Sequence, residues 1–311
     1  METMKAVRIH RYGGPEVLVY EDAPRPKPSR GEVLIRVHAA GVNPVDWKTR
    51  EGYLRQGHPS LPLIPGRDVS GVVENAGPRV ASIKRGDEVY SLADFSRDGA
   101  YAKYIVVGES EVALKPKSID HIHAAAIPLA ALTAWQSLFD AAQLRSGQSV
   151  LIHGAAGGVG SFAVQLAKWR KAHVIGTASG RNQQFMRELG ADETVDYQTT
   201  RFENAVHDVN VVFDTIGGDT QKRSWKVLKK SGILVSIVAP PSAEEAAAHG
   251  VRQAYVFVQP NVAQLAELAK LADAWKLTPV VEAVLTLSEA RRAHELSQTG
   301  HTRGKIVLRV A

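Results

Sequence analysis

Three observations predict an α/β protein in which a β-rich domain precedes a doubly wound parallel sheet. The N-terminal third has short apolar runs separated by Gly, Pro and Asp turns, which is typical of a small barrel or sandwich. From about His123 onward, strand-like runs alternate with helical segments, which indicates a parallel sheet with covering helices. A glycine-rich turn at 154–160 joins one buried strand to a helix, as expected where such a sheet binds a ligand.

The β-rich third contains apolar runs bounded by turns such as Lys84–Asp87. Pro24, Pro26 and Pro28 fix the backbone and remove N–H donors, so this stretch is expected to be an extended connector. The predicted strands are Ala6–Ile9, Val33–Val37, Val69–Val73, Glu88–Leu92 and Tyr104–Val107.

The alternating region begins with a predicted helix at Ala124–Ala142, which Pro128 starts or kinks. Ser288 is the expected N-cap of the last helix. The other predicted strands are Val150–His153, Ala172–Thr177, Thr194–Val195, Val209–Phe213, Ile233–Val238, Val280–Val284 and Lys305–Val310, and the other helices end near Lys171 or cover Phe185–Leu189, Gln221–Leu228, Val262–Trp275 and Ser288–Gln298.

Gly154, Gly157 and Gly160 allow a sharp turn and a close approach of the backbone to a ligand. The helix after them points its first N–H groups and the positive end of its dipole at that ligand. This arrangement suits a pyrophosphate, so the turn predicts dinucleotide binding. Glycine-rich turns also occur for packing alone.

The second strand of the sheet favours NADPH. A carboxylate at its end usually binds the ribose of NAD, but here the strand is followed by Ser179, Gly180 and Arg181. Ser179 and Arg181 offer a hydrogen bond and a charge-assisted one to a 2′-phosphate. Alternatively, Ser179 caps a helix and Arg181 is solvated. Tyr197, after the third strand, either stacks beside the adenine or packs.

Composition limits the classes of function. The 311 residues are 44% hydrophobic and 23% charged, which is typical of a globular protein with two domains. The chain has no cysteine, which excludes disulfides, thiol chemistry and thiolate-bound metals. The net charge of +6 is scattered rather than clustered, so it favours attraction of a polyanionic cofactor over a nucleic-acid surface. No membrane span or signal peptide is recognised, so a cytoplasmic protein is expected.

Several motifs together resemble the medium-chain dehydrogenase/reductase superfamily over essentially the whole length. Within it, the chain resembles the zinc-independent quinone oxidoreductase branch, which includes enone and alkenal reductases. The motifs are Ala39–Asp46, Pro65–Gly71, Gly86–Val89, Leu132–Ala134 and Gly154–Gly160.

The resemblance implies a GroES-like catalytic domain at residues 1–122, completed by 262–311, and an NADP-binding Rossmann domain at 123–261. It places the nicotinamide in the cleft between the domains. It also implies a homodimer formed through edge strands near Val251–Val258.

The sequence departs from the zinc alcohol dehydrogenases at their catalytic metal. Asn43 stands at the position of their cysteine ligand, and Arg67 at that of their histidine. Without a thiolate and an imidazole at this spacing, no catalytic zinc is expected. His121 and His123 are expected to be solvated, so alcohol oxidation through a zinc alkoxide is disfavoured.

Hydride transfer to a quinone or an enone needs hydrogen-bond donors for the oxygen that becomes negative. The resemblance places Asn43, Lys48 and Tyr53 at the cleft. Lys48 would stabilise the oxyanion, Tyr53 would protonate it, and Asn43 would orient the substrate or the nicotinamide ribose. Alternatively, the Asn43 segment is a plain turn in which Asp46 caps a short helix, and Lys48 and Arg50 are solvated. Related enone reductases carry a lysine like Lys48, whereas several quinone reductases have tyrosine there.

The resemblance also assigns cofactor contacts. Thr133 would contact the nicotinamide or its phosphate, and Lys305 would approach the cofactor phosphates; alternatively, Lys305 is exposed after a turn at Gly304. Asp68 is expected to be structural. The other expected contacts are Ala156, Gly157, Gly158 and Val159 in the glycine turn, Ile216 after the fourth strand, and Ala239 and Val258 beside the nicotinamide.

The leading hypothesis is therefore an NADPH-dependent reductase of quinones or enones. A zinc-free carbonyl reductase of saturated ketones is a second enzymatic possibility. A non-catalytic NADPH-binding or redox-sensing protein is an alternative from another class.

Overall fold

The structure, a computed structural model, describes residues 2–54 and 60–311. Its contacts divide the chain into two units: Met1–Leu129 with Pro260–Trp275 and Pro279–Ala311, and Ala130–Gln259 with Lys276–Thr278. We call them the N-terminal unit and the central unit. The functional boundaries predicted after residues 122 and 261 stay a prediction.

The strands follow one another along the chain as β1 (Thr3–Ile9), β2 (Leu18–Pro24), β3 (Glu32–Val42), β4 (Asp68–Ala76), β5 (Glu88–Leu92), β6 (Tyr104–Gly108), β7 (Val112–Leu114), β8 (Ser149–Ile152), β9 (His173–Ala178), β10 (Glu193–Asp196), β11 (Val209–Asp214), β12 (Leu228–Ser236), β13 (Arg252–Tyr255), β14 (Val281–Thr286) and β15 (Lys305–Arg309). The α-helices are α1 (Pro44–Glu51), α2 (His121–Ala125), α3 (Pro128–Trp135), α4 (Gly158–Trp169), α5 (Gln183–Glu188), α6 (Gly218–Ser224), α7 (Ala243–His249), α8 (Val262–Asp273) and α9 (Ala290–Gln298).

The N-terminal unit is built on a seven-stranded sheet in the order β14-β15-β3-β4-β5-β7, with β6 also paired to β3. Both chain ends contribute to it, because β15 lies antiparallel to β3. Alternating apolar residues of the strands pack into one core; they include Val33, Ile35, Val69, Val89 and Leu308. The β1–β2 hairpin covers an edge of this core through Met4 and Ala23.

The central unit has a parallel sheet in the order β10-β9-β8-β11-β12-β13. Numbered within the sheet this is 3-2-1-4-5-6, the Rossmann order, which reverses direction at β8. The predicted α/β fold class is therefore confirmed. Ligands of such sheets bind at the carboxyl ends of the strands, near the reversal.

One segment differs from the expectation. The predicted helix at Ala124–Ala142 is interrupted, because α2 ends before Pro128, α3 begins at it, and a π-helical turn follows at Gln136–Ala141. Proline has no N–H to continue α2 and is favourable at a first helical position, so the break lies at Pro128.

In residues 2–54 and 60–311, no helix has the length and apolar character needed to cross a membrane.

Candidate active site

The carboxyl edge of the parallel sheet brings together most of the predicted cofactor residues. Each follows the end of a different strand: the glycine turn follows β8, Ser179 follows β9, Tyr197 follows β10, Ile216 follows β11 and Ala239 follows β12. Val258 lies beyond β13 and is buried. Thr133, the remaining predicted residue of this unit, is buried on α3.

The glycine turn has the geometry of a phosphate loop. Gly154 has a φ of +63°, in the left-handed region that favours glycine. A Cβ at Gly160 would lie 2.2 Å from the carbonyl oxygen of Gly154, so the helix and the turn can pack this closely only with glycine. A Cβ at Gly157 would meet only that same oxygen, at 3.3 Å, and otherwise open space. The turn is therefore crowded beneath and open at Gly157.

Helix α4 begins directly at this open side. Its N-cap is Gly157, and among the described residues no side chain caps its N-terminus. The first N–H groups of an α-helix need acceptors, and a phosphate supplies them. The main chain here fits the pyrophosphate of a dinucleotide.

His153, directly after β8, and Asp214, at the end of β11, are buried beside this edge of the sheet, and sequence analysis did not select His153. Nε2 of His153 lies 2.9 Å from the hydroxyl of Ser224, and Nδ1 lies 3.2 Å from that of Thr177. Burial lowers the pKa of His153 to about 4, so the imidazole is neutral at pH 7. Asp214 accepts hydrogen bonds from the N–H groups of Ile216 and Gly217 at 3.0 and 2.8 Å.

The region after β9 has the predicted residues and one unexpected carboxylate. Arg181 is exposed, and Ser179 accepts a hydrogen bond from Nδ2 of Asn182 at 3.3 Å. A carboxylate oxygen of Asp196, at the end of β10, lies 2.8 Å from the place that a Cβ on Gly180 would take. Sequence reasoning missed Asp196 because it belongs to the neighbouring strand. It lies beside the residues predicted to bind a 2′-phosphate.

The N-terminal unit contains the predicted catalytic residues, all on or next to α1. Asn43 is buried just before the helix, Lys48 is half-buried on it, and Tyr53 is 73% exposed after it. Nζ of Lys48 lies 5.7 Å from the centre of the Trp47 ring. Among residues 2–54 and 60–311, the amine of Lys48 has no hydrogen-bond acceptor.

Lys305 and Asp68 lie beside Asn43, and the register of the sheet explains why. Strands β15, β3 and β4 are neighbours, with Ile306 opposite Val42 and Gly41 opposite Asp68. Nδ2 of Asn43 donates to Asp68 Oδ2 at 2.9 Å, and Nζ of Lys305 donates to Asn43 Oδ1. Lys305 is thus buried rather than exposed, and the alternative that it is solvated is wrong.

A second buried chain of hydrogen bonds reaches α1 from α9. Nη1 of Arg50 donates to Nδ1 of His294 at 3.1 Å, so Nε2 of His294 donates to the hydroxyl of Tyr101, 3.3 Å away. That hydroxyl donates to Asp46 Oδ2 at 3.0 Å, and Asp46 accepts the N–H of Asn43 at 2.8 Å. Asp46 therefore caps α1, as one alternative expected, but the same alternative is wrong about Arg50, which is buried rather than solvated.

Burial changes the titration of two residues in this chain. It raises the pKa of Asp46 to about 6, against the opposing effect of its hydrogen bond from Asn43. It lowers the pKa of His294 to about 3, and the charge of Arg50 acts in the same direction. Both shifts follow from the cost of a charge removed from water.

Arg67 stands at the position of the histidine ligand of the zinc alcohol dehydrogenases. Its guanidinium donates to the carbonyl oxygens of Asp94 and Arg97 at 2.7 and 2.8 Å. His123 is exposed, as expected, but His121 is not: its Nδ1 lies 2.8 Å from the hydroxyl of Ser70. Within the described part of the chain, no group of three or more His, Asp or Glu side chains is arranged to hold a metal ion.

Comparison with known proteins places this architecture in a family. Residues 29–117 match the model of the alcohol dehydrogenase GroES-like domain, and residues 189–308 match that of the zinc-binding dehydrogenases. A zebrafish (Danio rerio) protein, the mitochondrial NAD(P)H oxidoreductase RTN4IP1, is 34% identical over 90% of this chain and 84% of its own length. The chain belongs to the medium-chain dehydrogenase/reductase superfamily.

Other members are more similar still in sequence or structure. The chloroplastic NADPH-dependent alkenal/one oxidoreductase of Arabidopsis thaliana is 37% identical over 98% of this chain and 79% of that protein. The solved structure of the quinone oxidoreductase from Coxiella burnetii is 37% identical, covers 100% of both chains and superposes with a TM-score of 0.94. The family resemblance seen in the sequence is confirmed, and with the Rossmann sheet it establishes an oxidoreductase fold for a nicotinamide cofactor.

Proposed function

We propose that this protein reduces quinones and α,β-unsaturated carbonyl compounds with NADPH and without zinc. The observation that carries the proposal is Asn43, which stands where related zinc enzymes have a cysteine ligand. Its amide is bound by Asp68 and Lys305, and an amide donates hydrogen bonds but is a poor zinc ligand. The Arabidopsis and Coxiella relatives, named for alkenal/one and quinone reduction, support the two acceptor classes.

The proposed cofactor is NADPH rather than NADH. Ser179 and Arg181 supply a hydroxyl and a cation beside the place of the adenosine ribose. The carboxylate of Asp196 opposes this choice, because it would repel a 2′-phosphate. Arg181 outweighs this repulsion, since a guanidinium can bind a phosphate in a bidentate manner. Lys305, which sequence analysis assigned to the phosphates, already has three acceptors in the N-terminal unit.

Side chains of the protein stabilise the developing charge, supply the proton and orient the acceptor. Bound NADPH supplies a hydride to the electrophilic carbon of the acceptor. The amine of Lys48 stabilises the negative charge that develops on the acceptor oxygen, because it is half-buried and has no acceptor of its own among the described residues. The exposed phenol of Tyr53 provides the proton that completes the two-electron reduction. Asn43 orients the acceptor.

A screen of NADPH consumption tests the function. We expect turnover with naphthoquinones and with enones, little with the matched saturated ketones, and no loss in EDTA. Turnover of the saturated ketones alone would instead support a carbonyl reductase. Tight NADPH binding without turnover of any acceptor would support a binding or sensing protein. Loss of activity in EDTA with recovery on adding zinc would contradict the metal-free reaction.

We also propose a homodimer. Strand β13 is the end of the six-stranded sheet and pairs with β12 on one side. Tyr255 and Phe257 are each 43% exposed on or just after it. Among the described strands none pairs with the other side of β13, and a strand edge of this kind with exposed aromatic side chains is suited to pairing with a second copy. The cytoplasmic location expected from the sequence stays a prediction, since the relatives compared include mitochondrial and chloroplastic proteins.

A further inference from the structure

Nearly every polar group of Asn43 is already engaged. Its N–H donates to Asp46 Oδ2 at 2.8 Å, and its carbonyl oxygen accepts the N–H of Asp46 at 3.0 Å. In the side chain, Oδ1 accepts from Lys305 and Nδ2 donates to Asp68. The amide nitrogen carries two hydrogens, and the described residues provide an acceptor for one of them. Asn43 therefore keeps one N–H.

Lys305 and Asp68 fix which way the amide faces. An ammonium group only donates and an ionised carboxylate only accepts. Turning the amide over would place its NH2 against Nζ of Lys305 and its oxygen against the carboxylate of Asp68. The two charges also lie 3.3 Å apart, and their exposed fractions are 3% and 0%. In such a dry site the wrong orientation is strongly disfavoured.

Lys305 and Asp68 have little hydrogen-bonding capacity left for a further partner. Nζ of Lys305 has three hydrogens, and its three acceptors are the carbonyl oxygen of Val42 at 3.2 Å, Oδ1 of Asn43 and Oδ2 of Asp68. The other oxygen of Asp68 accepts the N–H of Leu129 at 2.6 Å. A cofactor phosphate would have to displace one of these bonds to reach Lys305.

The absence of a side chain at Gly41 lets Asp68 lie close to β3 and to Asn43. A Cβ at Gly41 would lie 2.7 Å from Oδ2 of Asp68 and 2.4 Å from the carbonyl oxygen of Ala125. Glycine at this position lets the carboxylate lie against β3, within reach of both Asn43 and Lys305. The pair is thus held by the strands as well as by charge.

We propose that Lys305 and Asp68 are positioning residues that hold Asn43 as a hydrogen-bond donor to the carbonyl oxygen of the acceptor. A buried donor without an acceptor is uncommon in folded proteins, and the spare N–H of Asn43 is such a donor. A ligand oxygen satisfies it, and a donor fixed in place stabilises the charge that develops there. This assignment rests on the proposed function, because it requires an acceptor with such an oxygen.

The test compares Asn43→Ala, the double variant Lys305→Met/Asp68→Asn, and the triple variant that combines them. The double variant removes both charges together, so it leaves no unpaired buried charge. We expect Asn43→Ala and the double variant each to lower kcat/KM for an enone about 10- to 100-fold. The triple variant is expected to be no worse than Asn43→Ala, because residues that act as one unit do not add. The Kd for NADPH, from fluorescence titration without acceptor, is expected to stay within about two-fold.

Lys115→Met is the matched control. Lys115 is another buried lysine of the N-terminal unit, and its amine donates to the carbonyl oxygens of Pro116 and Ile119 at 2.9 and 2.6 Å, away from Asn43. It is expected to lower the melting temperature and leave kcat/KM near that of the wild type. If the double variant does not fold, Lys305→Gln/Asp68→Asn replaces it with the same expected results.

Three results would overturn the inference. These are an unchanged kcat/KM in the double variant, losses that add in the triple variant, and a loss confined to the Kd for NADPH. The last would return Lys305 to the phosphate contact expected from the sequence. A wild-type enzyme that reduces no carbonyl acceptor would instead contradict the proposed function.

Discussion

The Cβ of an alanine at residue 160 would lie 2.2 Å from the carbonyl oxygen of Gly154. The oxygen belongs to the main chain and the Cβ is fixed rigidly to the backbone of α4, so Gly160→Ala forces α4 away from the turn. We expect a loss of about 1–3 kcal/mol in the free energy of unfolding, as for other overpacked sites. Thermal and urea denaturation measure it.

Gly157→Ala provides the contrast. Gly157 has an extended backbone that alanine adopts, with open space above it. We expect a melting temperature close to the wild type but weaker NADPH binding, because the methyl group would stand where the pyrophosphate is predicted to bind. The interpretation of this turn fails if Gly157→Ala binds NADPH normally, or if Gly160→Ala is as stable as the wild type.

Arg181→Ala tests the choice of cofactor. A charge-assisted hydrogen bond is worth about 1.5–3 kcal/mol, so we expect the Kd for NADPH to rise about 10- to 100-fold and that for NADH to change little. Arg187→Ala, at an exposed arginine of α5, is the matched control and leaves both unchanged. Asp196→Asn is expected to tighten NADPH binding by removing a nearby negative charge. If Arg181→Ala lowered the affinity for NADPH and for NADH equally, a contact with the 2′-phosphate would be ruled out.

The grouping of the cofactor residues at the carboxyl edge of the parallel sheet could be predicted because it depends on residues next to each strand in the sequence. Most of the predicted cofactor residues come within a few positions after a strand of this sheet, and parallel strands bring their ends to one edge. Asp196 was missed because it reaches the site from the adjacent strand, β10. Strand β2 was missed because only Ala23 of its residues is buried, so no apolar run marks it. Ser288 was wrong as an N-cap: the hydroxyl of Thr286 pairs with Glu289 instead.

The buried polar cluster could not be predicted in the same way. Asn43 is 25 residues from Asp68 and 262 from Lys305, while Arg50 is 244 from His294. No local pattern links such residues; the antiparallel register of β15, β3 and β4 brings the first three together. A buried lysine or carboxylate is also unexpected from composition, since these side chains are rarely buried unless paired.

Lys48→Ala tests the proposed oxyanion contact. Removing one donor to a developing negative charge costs about 10²- to 10³-fold in kcat. We expect that loss with both quinones and enones, while the Kd for NADPH and the melting temperature change little, because Lys48 is half-buried and makes few contacts. Lys270→Ala, at an exposed lysine of α8 that pairs with Glu267, is the control. An unchanged kcat would remove Lys48 from the mechanism.

Tyr255→Glu combined with Phe257→Glu tests the proposed dimer. Both side chains are 43% exposed on or just after β13, so charges there should repel a second copy. We expect the wild type to have the mass of two chains by light scattering, and the variant that of one. Trp275→Glu, at a more exposed aromatic residue outside this edge, is expected to remain dimeric. A monomeric wild type would contradict the dimer directly.

The pH dependence of stability tests the buried imidazole of His294. In the unfolded chain a histidine takes up a proton near pH 6.5, but His294 in the folded state does so only near pH 3. Between these values the unfolded state binds more protons, so this residue makes the free energy of unfolding fall as the pH falls, by about 1.4 kcal/mol per unit. Asp46 acts oppositely: its raised pKa of about 6 means that the folded state binds more protons between pH 6 and 4.

His294→Gln isolates the histidine, because glutamine can accept from Arg50 and donate to Tyr101 without titrating. As the pH falls from 6.5 to 4, its free energy of unfolding is expected to decrease less than that of the wild type. It rises if the contribution of Asp46 dominates. Gln253→Ala, at an exposed residue of β13, changes no titratable group and should follow the wild-type curve. Urea denaturation at a series of pH values measures all three; parallel curves for His294→Gln and the wild type would show that His294 is not held neutral in the folded protein.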